Sequence, residues 1–195
     1  MQKRRIGIEG IGRFSWGEHI CVFFYNKAEL FKLTVPYIRA GLEDDELCMW
    51  ITGDPINAEE ALKALEQVLP NAADYVAEDR LLILPHSRWY LSSGVFDANR
   101  VLQNWLSKSN HAETKGLSGL RITGNPFWLR TEQDWTNFGL YEHAVTDAIR
   151  YKRILALCTY PGPICRGDHV HRVLYTHGSA LFAENDRWQH LVLRP

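Results

Sequence analysis

Histidine and cysteine side chains occur where the chain could hold a metal ion or a reactive thiolate. His19 and Cys21 are two positions apart in an apolar run over residues 19–25, so a β-strand would point both side chains to one face. With Cys158, near the end of another apolar run, they are candidates for binding a metal ion or haem. The interpretation that we favour is that the cysteines are small buried hydrophobic residues and that His19 is hydrogen-bonded at a strand start. The sequence therefore predicts no metal and no other cofactor.

A second group has the spacing C-x6-C-x3-H-x-H and is followed by one more histidine; its members are Cys158, Cys165, His169, His171 and His177. The spacing matches no standard zinc arrangement, and Gly162-Pro163 interrupts it. We expect His169 and His171 to lie in the first, partly exposed turn of a helix.

Two nearly identical segments indicate where a ligand could bind. ITGDP at residues 51–55 recurs 71 positions later as ITGNP at residues 122–126, in different flanking sequence. We interpret them as the ends of two strands that contribute Thr52 and Thr123 to one crevice, with Trp50 and Trp128 close by. The alternative is that Thr-Gly-Asp/Asn-Pro is common turn chemistry.

The connection HSRWYLSSGVF, residues 86–96, contains two large aromatic residues and a Ser-Ser-Gly stretch. Trp89 and Tyr90 could form an apolar lid over the crevice, because pockets for small ligands are mostly apolar with few polar groups. Alternatively, these two side chains simply pin the long loop to the body of the protein.

Polar anchors for a ligand are few. Tyr25 and Arg121 are candidates, and Glu142 could accept a hydrogen bond from a ligand or from Arg121. For Glu142 and its neighbour His143, a solvated or structural pair is the default interpretation. The full set of predicted ligand-binding residues is Tyr25, Trp50, Thr52, Trp89, Tyr90, Arg121, Thr123, Trp128 and Glu142. Its aromatic composition favours a neutral or weakly polar organic molecule over a nucleotide.

Strand-like and helical patterns alternate along the chain and would position these residues. Capping signals at Asn26, Asn57 and Asp97, at Thr131 or Asp134, and at Asp168 open helices, and Gly41 should end the first of them. This alternation predicts an α/β fold of three layers, a mainly parallel sheet with helices on both faces, whose carboxyl edge is the usual place for a ligand. The strand-like runs cover residues 19–25, 47–52, 80–85, 119–124 and 153–159, and residues 188–193 form a possible edge strand.

Length and composition place the chain among ordinary globular proteins. It has 195 residues, 46% of them hydrophobic, and a formal net charge of −1. We expect a single domain over 1–195, with a flexible lead-in over 1–17 and a possible edge strand within 186–195. The near-neutral charge disfavours direct nucleic-acid binding, and no apolar run approaches the ~20 residues of a membrane span. Without a signal-peptide pattern or a CxxC pair, the chain is expected to be cytoplasmic with free thiols.

Catalytic and nucleotide-binding motifs are absent from the sequence. A RecA-like ATPase needs G-x-x-x-x-G-K-[ST] between its first strand and the following helix, but this chain has Tyr25-Asn-Lys-Ala-Glu29 there. The glycine-rich stretch over residues 7–12 has no clear strand before it or helix after it. Neither a G-x-S-x-G elbow nor an H-E-x-x-H run occurs. The sequence therefore predicts no ATP hydrolysis and no enzyme activity.

An ordered series of short motifs resembles the MEDS domain, the methanogen/methylotroph sensory domain of DcmR-type regulators. The resemblance covers residues 18–185 and implies a RecA/KaiC-like core without a working nucleotide site. It also implies the sensing of small organic compounds such as hydrocarbon derivatives, beside DNA-binding or histidine-kinase modules or alone. Asn125 departs from the pattern of the family, in which an acidic residue is common at this position. The resemblance therefore implies no role at Asn125 that needs a carboxylate. The motifs are His19-x-Cys21-x-x-x-Tyr25, Ala40-Gly-Leu-Glu43, Cys48, Tyr90, Gly94-Val-Phe-Asp97, Gly119-Leu-Arg121-Ile-Thr-Gly124, Trp128, Tyr141-Glu142, Cys158-Thr-Tyr160 and Thr176-His177.

Three hypotheses follow from the residues and the resemblance. The leading one is a non-catalytic sensory domain that binds a small organic molecule and signals to a transcription regulator or a histidine kinase. The second is a metal- or haem-dependent redox sensor that uses His19, Cys21 and Cys158. The third is a degenerate RecA-like interaction module that assembles with copies of itself, as a homo-oligomer, or with a kinase.

Overall fold

A computed structural model describes residues 2–185 and 187–193 of the chain. Within these residues, no helix combines the length and the apolar character needed to cross a membrane. The strands are β1 (Lys3–Arg5), β2 (Arg13–Ser15), β3 (His19–Phe24), β4 (Leu47–Thr52), β5 (Leu81–Pro85), β6 (Leu120–Gly124), β7 (Ile154–Pro161), β8 (Ser179–Glu184) and β9 (Arg187–Val192). The helices are α1 (Lys27–Glu43), α2 (Ala58–Glu66), α3 (Ala72–Ala77), α4 (His86–Trp89), α5 (Ala98–Thr114), α6 (Glu132–Ile149) and α7 (Gly167–Thr176), with a 3-10 turn over Gly162–Ile164.

The main sheet has seven strands in the order β5-β4-β6-β7-β3-β8-β9. Every neighbouring pair is parallel except β8 and β9, which are antiparallel. The mainly parallel sheet and its five strand-like runs are thus confirmed. The sheet also contains β8, which the sequence did not indicate. β9 lies at the edge within the predicted range 186–195, of which residues 186, 194 and 195 lie outside the described residues.

Alternating side chains of the strands form two separate cores, one on each side of the sheet. One side, called here the α1 face, is covered by α1, α2 and the β1–β2 hairpin, and it includes Cys48, Trp50 and Leu157. The other side, the α6 face, is covered by α5, α6 and α7, and it includes Cys21 and Cys158. Because successive strand residues point to opposite faces, a shift of one position decides which core a side chain enters.

The expected flexible lead-in differs from the structure. Its described residues contain the antiparallel hairpin of β1 and β2, in which Arg4 pairs with Phe14. Ile6, Phe14 and Trp16 are at most 4% exposed and belong to the core of the α1 face. Burying a large apolar side chain stabilises a fold by about 1.5–3 kcal/mol, so this segment is held against the sheet. Its strands have only three residues each, too short for a clear alternation signal.

Four helices begin at the predicted caps, with Thr131 rather than Asp134 as the cap of α6, whereas α7 begins at Gly167, before the predicted Asp168. The side chains of Asn26, Asn57, Asp97 and Thr131 each accept a hydrogen bond from a backbone N–H in the first turn. The prediction that Gly41 ends α1 is wrong, because the helix continues to Glu43.

Gly41 has a different role, which is to leave space. A β-carbon at this position would lie 2.6 Å from Cδ of Arg121 and 2.6 Å from Sγ of Cys48. The glycine therefore allows α1 to approach the sheet closely enough to cover the Arg121 guanidinium.

Candidate functional site

The predicted crevice residues are divided between the two faces of the sheet. Thr52 and Thr123 lie at the same carboxyl edge, since Ile51 is paired with Gly124 on the neighbouring strand. Trp50 and Thr123 face each other in register on the α1 face. Trp50 and Thr52 are each 2% exposed and Thr123 is 1% exposed. These three residues lie in a packed core, and the hydroxyl of Thr52 donates to the Leu84 carbonyl at 3.3 Å.

Arg121 does not anchor a ligand at this edge. It is the second residue of β6, near the opposite end of the strand, and its side chain is fully buried. Its Nη2 lies 3.1 Å from Oε1 of Glu46 and 2.8 Å from the carbonyl oxygen of Arg5, and its Nη1 donates to the Tyr37 carbonyl at 3.0 Å. The predicted contact with Glu142 is also wrong, because Glu142 lies on the other face of the sheet.

Tyr25 is separate from the other predicted ligand residues. It follows the end of β3 and is 67% exposed. A β-carbon at Gly162 would lie 2.8 Å from Cε1 of Tyr25, so the ring rests on the backbone of the 3-10 turn. Its position gives it no part in the aromatic packing described next.

Five aromatic rings pack together on the α6 face and form what we call the ring cluster. Tyr90 and Trp128, both predicted ligand residues, have ring centroids 5.8 Å apart. Phe96 lies 5.2 Å from Trp128 and 5.4 Å from Tyr141. Phe138 completes the group at 5.3 Å from Tyr141 and 5.7 Å from Trp128. Such spacings are typical of favourable aromatic pairs.

The segment over residues 91–97, called here the lid segment, covers the ring cluster with Phe96. Its residues from 92 to 95 are exposed. Nη2 of Arg100 donates to the carbonyl oxygens of Tyr90 at 3.0 Å and Val95 at 3.2 Å. Nη1 of Arg100 also donates to the hydroxyl of Ser93. Trp89 is 4% exposed beneath this region, so it anchors the chain while the exposed residues carry few core contacts.

Four ionisable side chains from different parts of the chain meet under α6, and we call them the buried quartet. They are His19 of β3, Glu142 of α6, Cys158 of β7 and His177, which follows α7. One ligand atom from each lies within 4.8 Å of all the others. Nε2 of His19 is 3.1 Å from Oε2 of Glu142 and 3.2 Å from Sγ of Cys158, and Nε2 of His177 is 3.2 Å from the same Oε2. All four are at most 8% exposed.

Burial and mutual charge set the protonation of the quartet. Burial, reinforced by the neighbouring His177, lowers the pKa of His19 to about 4 despite the opposing effect of Glu142. For Glu142, burial would raise the pKa, but the close contacts of its carboxylate with His177 and His19 outweigh that effect and lower the pKa to about 2. Burial raises the pKa of the Cys158 thiol well above its usual range. Near neutral pH these shifts correspond to a carboxylate, a neutral His19 and a thiol.

The predicted grouping of His19, Cys21 and Cys158 is only partly correct. His19 and Cys158 meet, but the Cys21 thiol is directed to the Ser179 carbonyl at 3.5 Å. The sequence indicates Glu142 and His177 as candidates in two different groups, and neither group includes His19. Their positions on α6 and after α7 carry no shared spacing signal, because only the packing of both helices on one face brings them to β3.

The second predicted group does not form a unit either. His169 is 4% exposed and stacks on Trp135 with ring centroids 4.0 Å apart, whereas His171 is exposed. The expectation of a partly exposed position is therefore wrong for His169. Its Nε2 lies 3.2 Å from a carboxylate oxygen of Glu132, and a salt bridge from Arg166 already neutralises that carboxylate.

A small cavity lies between α6, α7 and β7 and touches the ring cluster at Phe138 and the buried quartet at Glu142. It has a volume of about 10 Å³, and its lining includes Phe138, Glu142 and Tyr160. This is close to the volume that holds one water molecule. The hydroxyl of Tyr160 is buried and, among the described residues, has no hydrogen-bond partner. The cavity therefore offers a polar end to an otherwise aromatic site.

The connection between β3 and α1, where a RecA-like ATPase binds phosphate, consists of Tyr25 and Asn26 alone. Asn26 Oδ1 accepts from the N–H of Glu29 at 2.9 Å, and Glu29 Oε2 accepts from the N–H of Tyr25 at 2.7 Å. A carboxylate thus occupies the amino end of the helix, where an anion would otherwise bind. The structure agrees with the predicted absence of a phosphate-binding loop.

Solved structures of other proteins have the same fold. The flagellar accessory protein FlaH from Methanocaldococcus jannaschii is similar with a TM-score of 0.59 and 11% identity, over 97% of this chain and 82% of that one. The KaiC-like protein PH0186 from Pyrococcus horikoshii OT3 is similar with a TM-score of 0.61 and 13% identity, over 97% and 85%. The fold is accordingly RecA/KaiC-like, without a Walker A motif.

Sequence comparison identifies the family. The transcriptional repressor DcmR from Methylorubrum extorquens (strain DSM 6343 / CIP 106787 / DM4) is 27% identical over 167 residues, which are 84% of this chain. The chain spans 59% of the length of that relative. The family model named MEthanogen/methylotroph, DcmR Sensory domain matches residues 18–178. This match covers most of the chain, which therefore belongs to the MEDS family of sensory domains.

Proposed function

We propose that this chain is a non-catalytic sensory domain that binds a small, neutral or weakly polar organic molecule at the ring cluster. Membership of a sensory family and similarity to a transcriptional repressor support a regulatory role. The partner that receives the signal is a transcription regulator or a histidine kinase. The proposal moves the site from the predicted crevice between the twin segments to the α6 face.

The observation that carries the proposal is a group of five packed rings, one of which, Phe96, comes from a lid segment whose residues from 92 to 95 are exposed. Sites for small ligands are mostly apolar, with a few polar groups that orient the ligand. Tyr90, Phe96 and Trp128 supply apolar surface at one end. Glu142 and the unpaired Tyr160 hydroxyl supply polar groups at the other end.

Binding requires the lid segment to move, because Phe96 packs against Trp128 and Phe138 and fills the space between these rings. Exposed segments with few buried contacts open at low free-energy cost. The lid segment is held by Arg100 through the carbonyls of Tyr90 and Val95. We propose that a ligand displaces Phe96, takes its place against Trp128 and Phe138, and changes the surface that the partner contacts.

The roles of the predicted residues change accordingly. Tyr90 and Trp128 line the site, Trp89 anchors the lid segment, and Glu142 lies at the polar end. Phe96, Phe138 and Tyr141 join them. Trp50, Thr52, Thr123, Tyr25 and Arg121 are excluded, because they lie on the α1 face or on the surface.

The test is a ligand panel read by thermal unfolding and by tryptophan fluorescence. The probes are benzene, a short-chain haloalkane, a C3–C6 ketone and cyclohexanol. A ligand at 100 times its Kd stabilises the folded state by about 2.7 kcal/mol, which corresponds to roughly 5–10 °C in Tm for a chain of this length. Fluorescence should change as Trp128 exchanges its contact with Phe96 for one with the ligand.

Matched variants locate the site. Phe96→Leu should change the affinity for the active probe at least severalfold, whereas Phe182→Leu, on the 43% exposed Phe182 of β8, should not. Hydrogen exchange should show altered protection of residues 91–97 on binding. The proposal fails if no probe shifts Tm, or if Phe96→Leu and Phe182→Leu bind the active probe equally.

A further inference from the structure

In the buried quartet, both imidazole rings turn a lone pair rather than an N–H group toward the Glu142 carboxylate, so among the four side chains the proton donor is the Cys158 thiol. Nδ1 of His177 lies 2.8 Å from the carbonyl oxygen of Val173. A carbonyl only accepts, so Nδ1 carries the proton and donates it. In the neutral imidazole, Nε2 then has a lone pair, and this lone pair faces Oε2 of Glu142 at 3.2 Å.

His19 is oriented in the same way through a hydroxyl. The Thr146 hydroxyl oxygen lies 2.6 Å from the carbonyl of Thr176, to which it donates. It must therefore accept from Nδ1 of His19, which lies 2.7 Å away. The lone pair on Nε2 of His19 consequently points at Glu142 and at Sγ of Cys158.

Two imidazole lone pairs, a carboxylate and a thiol thus converge in a space from which solvent is excluded. The thiol supplies one proton for several acceptors, and acceptors that face one another in a buried site are unfavourable unless a cation lies between them. We propose that His19, Glu142, Cys158 and His177 bind one divalent transition-metal ion of the zinc class.

The donor set agrees with this class of ion. Imidazole nitrogen and thiolate sulfur bind zinc-like ions, whereas calcium and magnesium take oxygen ligands. Tetrahedral ligands about 2.0–2.3 Å from zinc are about 3.3–3.6 Å from one another. The three atom pairs of the quartet at 3.1–3.2 Å need to separate by only a few tenths of an ångström.

The surrounding contacts match what metal-binding histidines require. Such a histidine donates its second ring N–H to a carbonyl, a carboxylate or water, which holds the ring in the binding tautomer. Val173 and Thr146 accept those protons here. Binding would transfer the Cys158 thiol proton to solvent, so that the sulfur coordinates as a thiolate and each bound ion releases one proton.

This site shares Glu142 with the polar end of the proposed ligand site, but the binding of a metal ion by the four side chains does not depend on a ligand at the ring cluster. It differs from the grouping His19, Cys21 and Cys158 of the sequence analysis, since Cys21 is directed to Ser179. Cys21 and Cys158 face each other on neighbouring strands, both buried. They therefore provide a matched pair in which only one thiol belongs to the quartet.

The experiment uses the full chain after chelator treatment and removal of the chelator, with ZnCl2 and CoCl2 as the probes. One equivalent of Co²⁺ should bind and give the near-ultraviolet absorption of a cobalt–thiolate bond, and Zn²⁺ should displace it. Cys158→Ser should lose that absorption, whereas Cys21→Ser should keep it. Absence of stoichiometric binding, or equal loss of the band in both variants, overturns the proposal.

Glu142→Gln provides a second readout in case a cysteine variant does not fold. The amide N–H groups of glutamine can donate to the two imidazole lone pairs, so the metal-free variant should be at least as thermally stable as the metal-free parent. Its zinc affinity should fall by more than the roughly 10–100-fold that loss of an outer hydrogen bond costs. If the metal-free variant is instead less stable and zinc raises both Tm values equally, the quartet is an imidazolium–carboxylate network and the proposal is wrong.

Discussion

Arg121 and Glu46 form a fully buried ion pair, with Nη2 of the guanidinium 3.1 Å from Oε1 of the carboxylate. The same Oε1 accepts from Nε of Arg4 at 2.8 Å. One carboxylate thus joins the β1–β2 hairpin to β6 beneath α1. This arrangement explains why Arg121 cannot serve a ligand and why the amino-terminal segment is held to the sheet.

Neutralising Glu46 should destabilise the protein strongly. In Glu46→Gln, the buried guanidinium of Arg121 loses its counter-charge and that of Arg4 keeps the more distant Asp44 carboxylate at 3.7 Å. Breaking a buried pair costs about 3–5 kcal/mol. Urea unfolding followed by circular dichroism measures the change. Glu59→Gln is the control, because its bond to Lys63 is exposed and exposed ion pairs contribute little to stability. Equal effects of the two substitutions would show that the buried pair is not a structural link.

Gly41→Ala should destabilise the protein although alanine favours helices. The new methyl group would meet Arg121 and Cys48 at 2.6 Å, and overpacking of a core costs about 1–3 kcal/mol. Gly167→Ala, in the first turn of α7, has no atom within 4 Å of the added carbon and should gain up to about 1 kcal/mol. Thermal unfolding of both variants compares steric and propensity effects directly, and a stabilised Gly41→Ala would contradict the close approach seen here.

ATP should not bind at the start of α1. The connection from β3 is two residues long, and the Glu29 carboxylate already accepts the Tyr25 N–H. A phosphate there would meet a negative charge instead of a cradle of free amides. We expect millimolar MgATP to leave Tm unchanged and no phosphate release above background. A Tm increase of several degrees with MgATP, absent with MgCl2 alone, would refute this expectation.

Alkylation of Cys165 should be slow at pH 8 and accelerate as the pH rises. Burial raises the pKa of this half-buried thiol to about 11, so its thiolate fraction at pH 8 is roughly 200-fold below that of a free cysteine. The greater nucleophilicity of a more basic thiolate offsets part of this, which leaves an alkylation rate roughly 10- to 20-fold below that of a free cysteine. The rate should rise about tenfold per pH unit up to pH 10.

The reaction is measured with iodoacetamide and mass spectrometry of the modified peptide. Cys165→Ser should remove it, and the fully buried Cys21 and Cys48 should stay unmodified in the folded protein. Rapid alkylation of Cys165 at pH 8 would show that its thiol is not shielded.

Much of the fold could be predicted because its signals are local. The apolar run at Leu47–Thr52 is a strand buried along its whole length, and Asn57 with Glu60 forms the capping box that its spacing indicates. Such patterns depend on neighbours within a few positions. The hairpin was missed because its three-residue strands owe their stability to contacts with the α1 face.

The candidate site is harder to predict, because it depends on the face of the sheet to which each side chain points. Trp50 and Trp128 are both close to the twin segments in sequence, yet the pleat of β4 sends Trp50 into the α1 face while Trp128 joins the rings on the α6 face. The rings of Trp128 and Phe96 have centroids 5.2 Å apart, but no periodic pattern in the sequence indicates this contact.

The amino-acid sequence alone is sufficient for the alternating elements, the helix caps and the lack of a phosphate loop, because each follows from short-range preferences. The tertiary structure decided that His19, Glu142, Cys158 and His177 meet, since four elements separated by up to 158 residues must pack on one face before their side chains touch. It also decided that Arg121 belongs to the core. Within the described part of the chain, its buried counter-charge is Glu46, which is 75 positions away in sequence and meets Arg121 beneath α1.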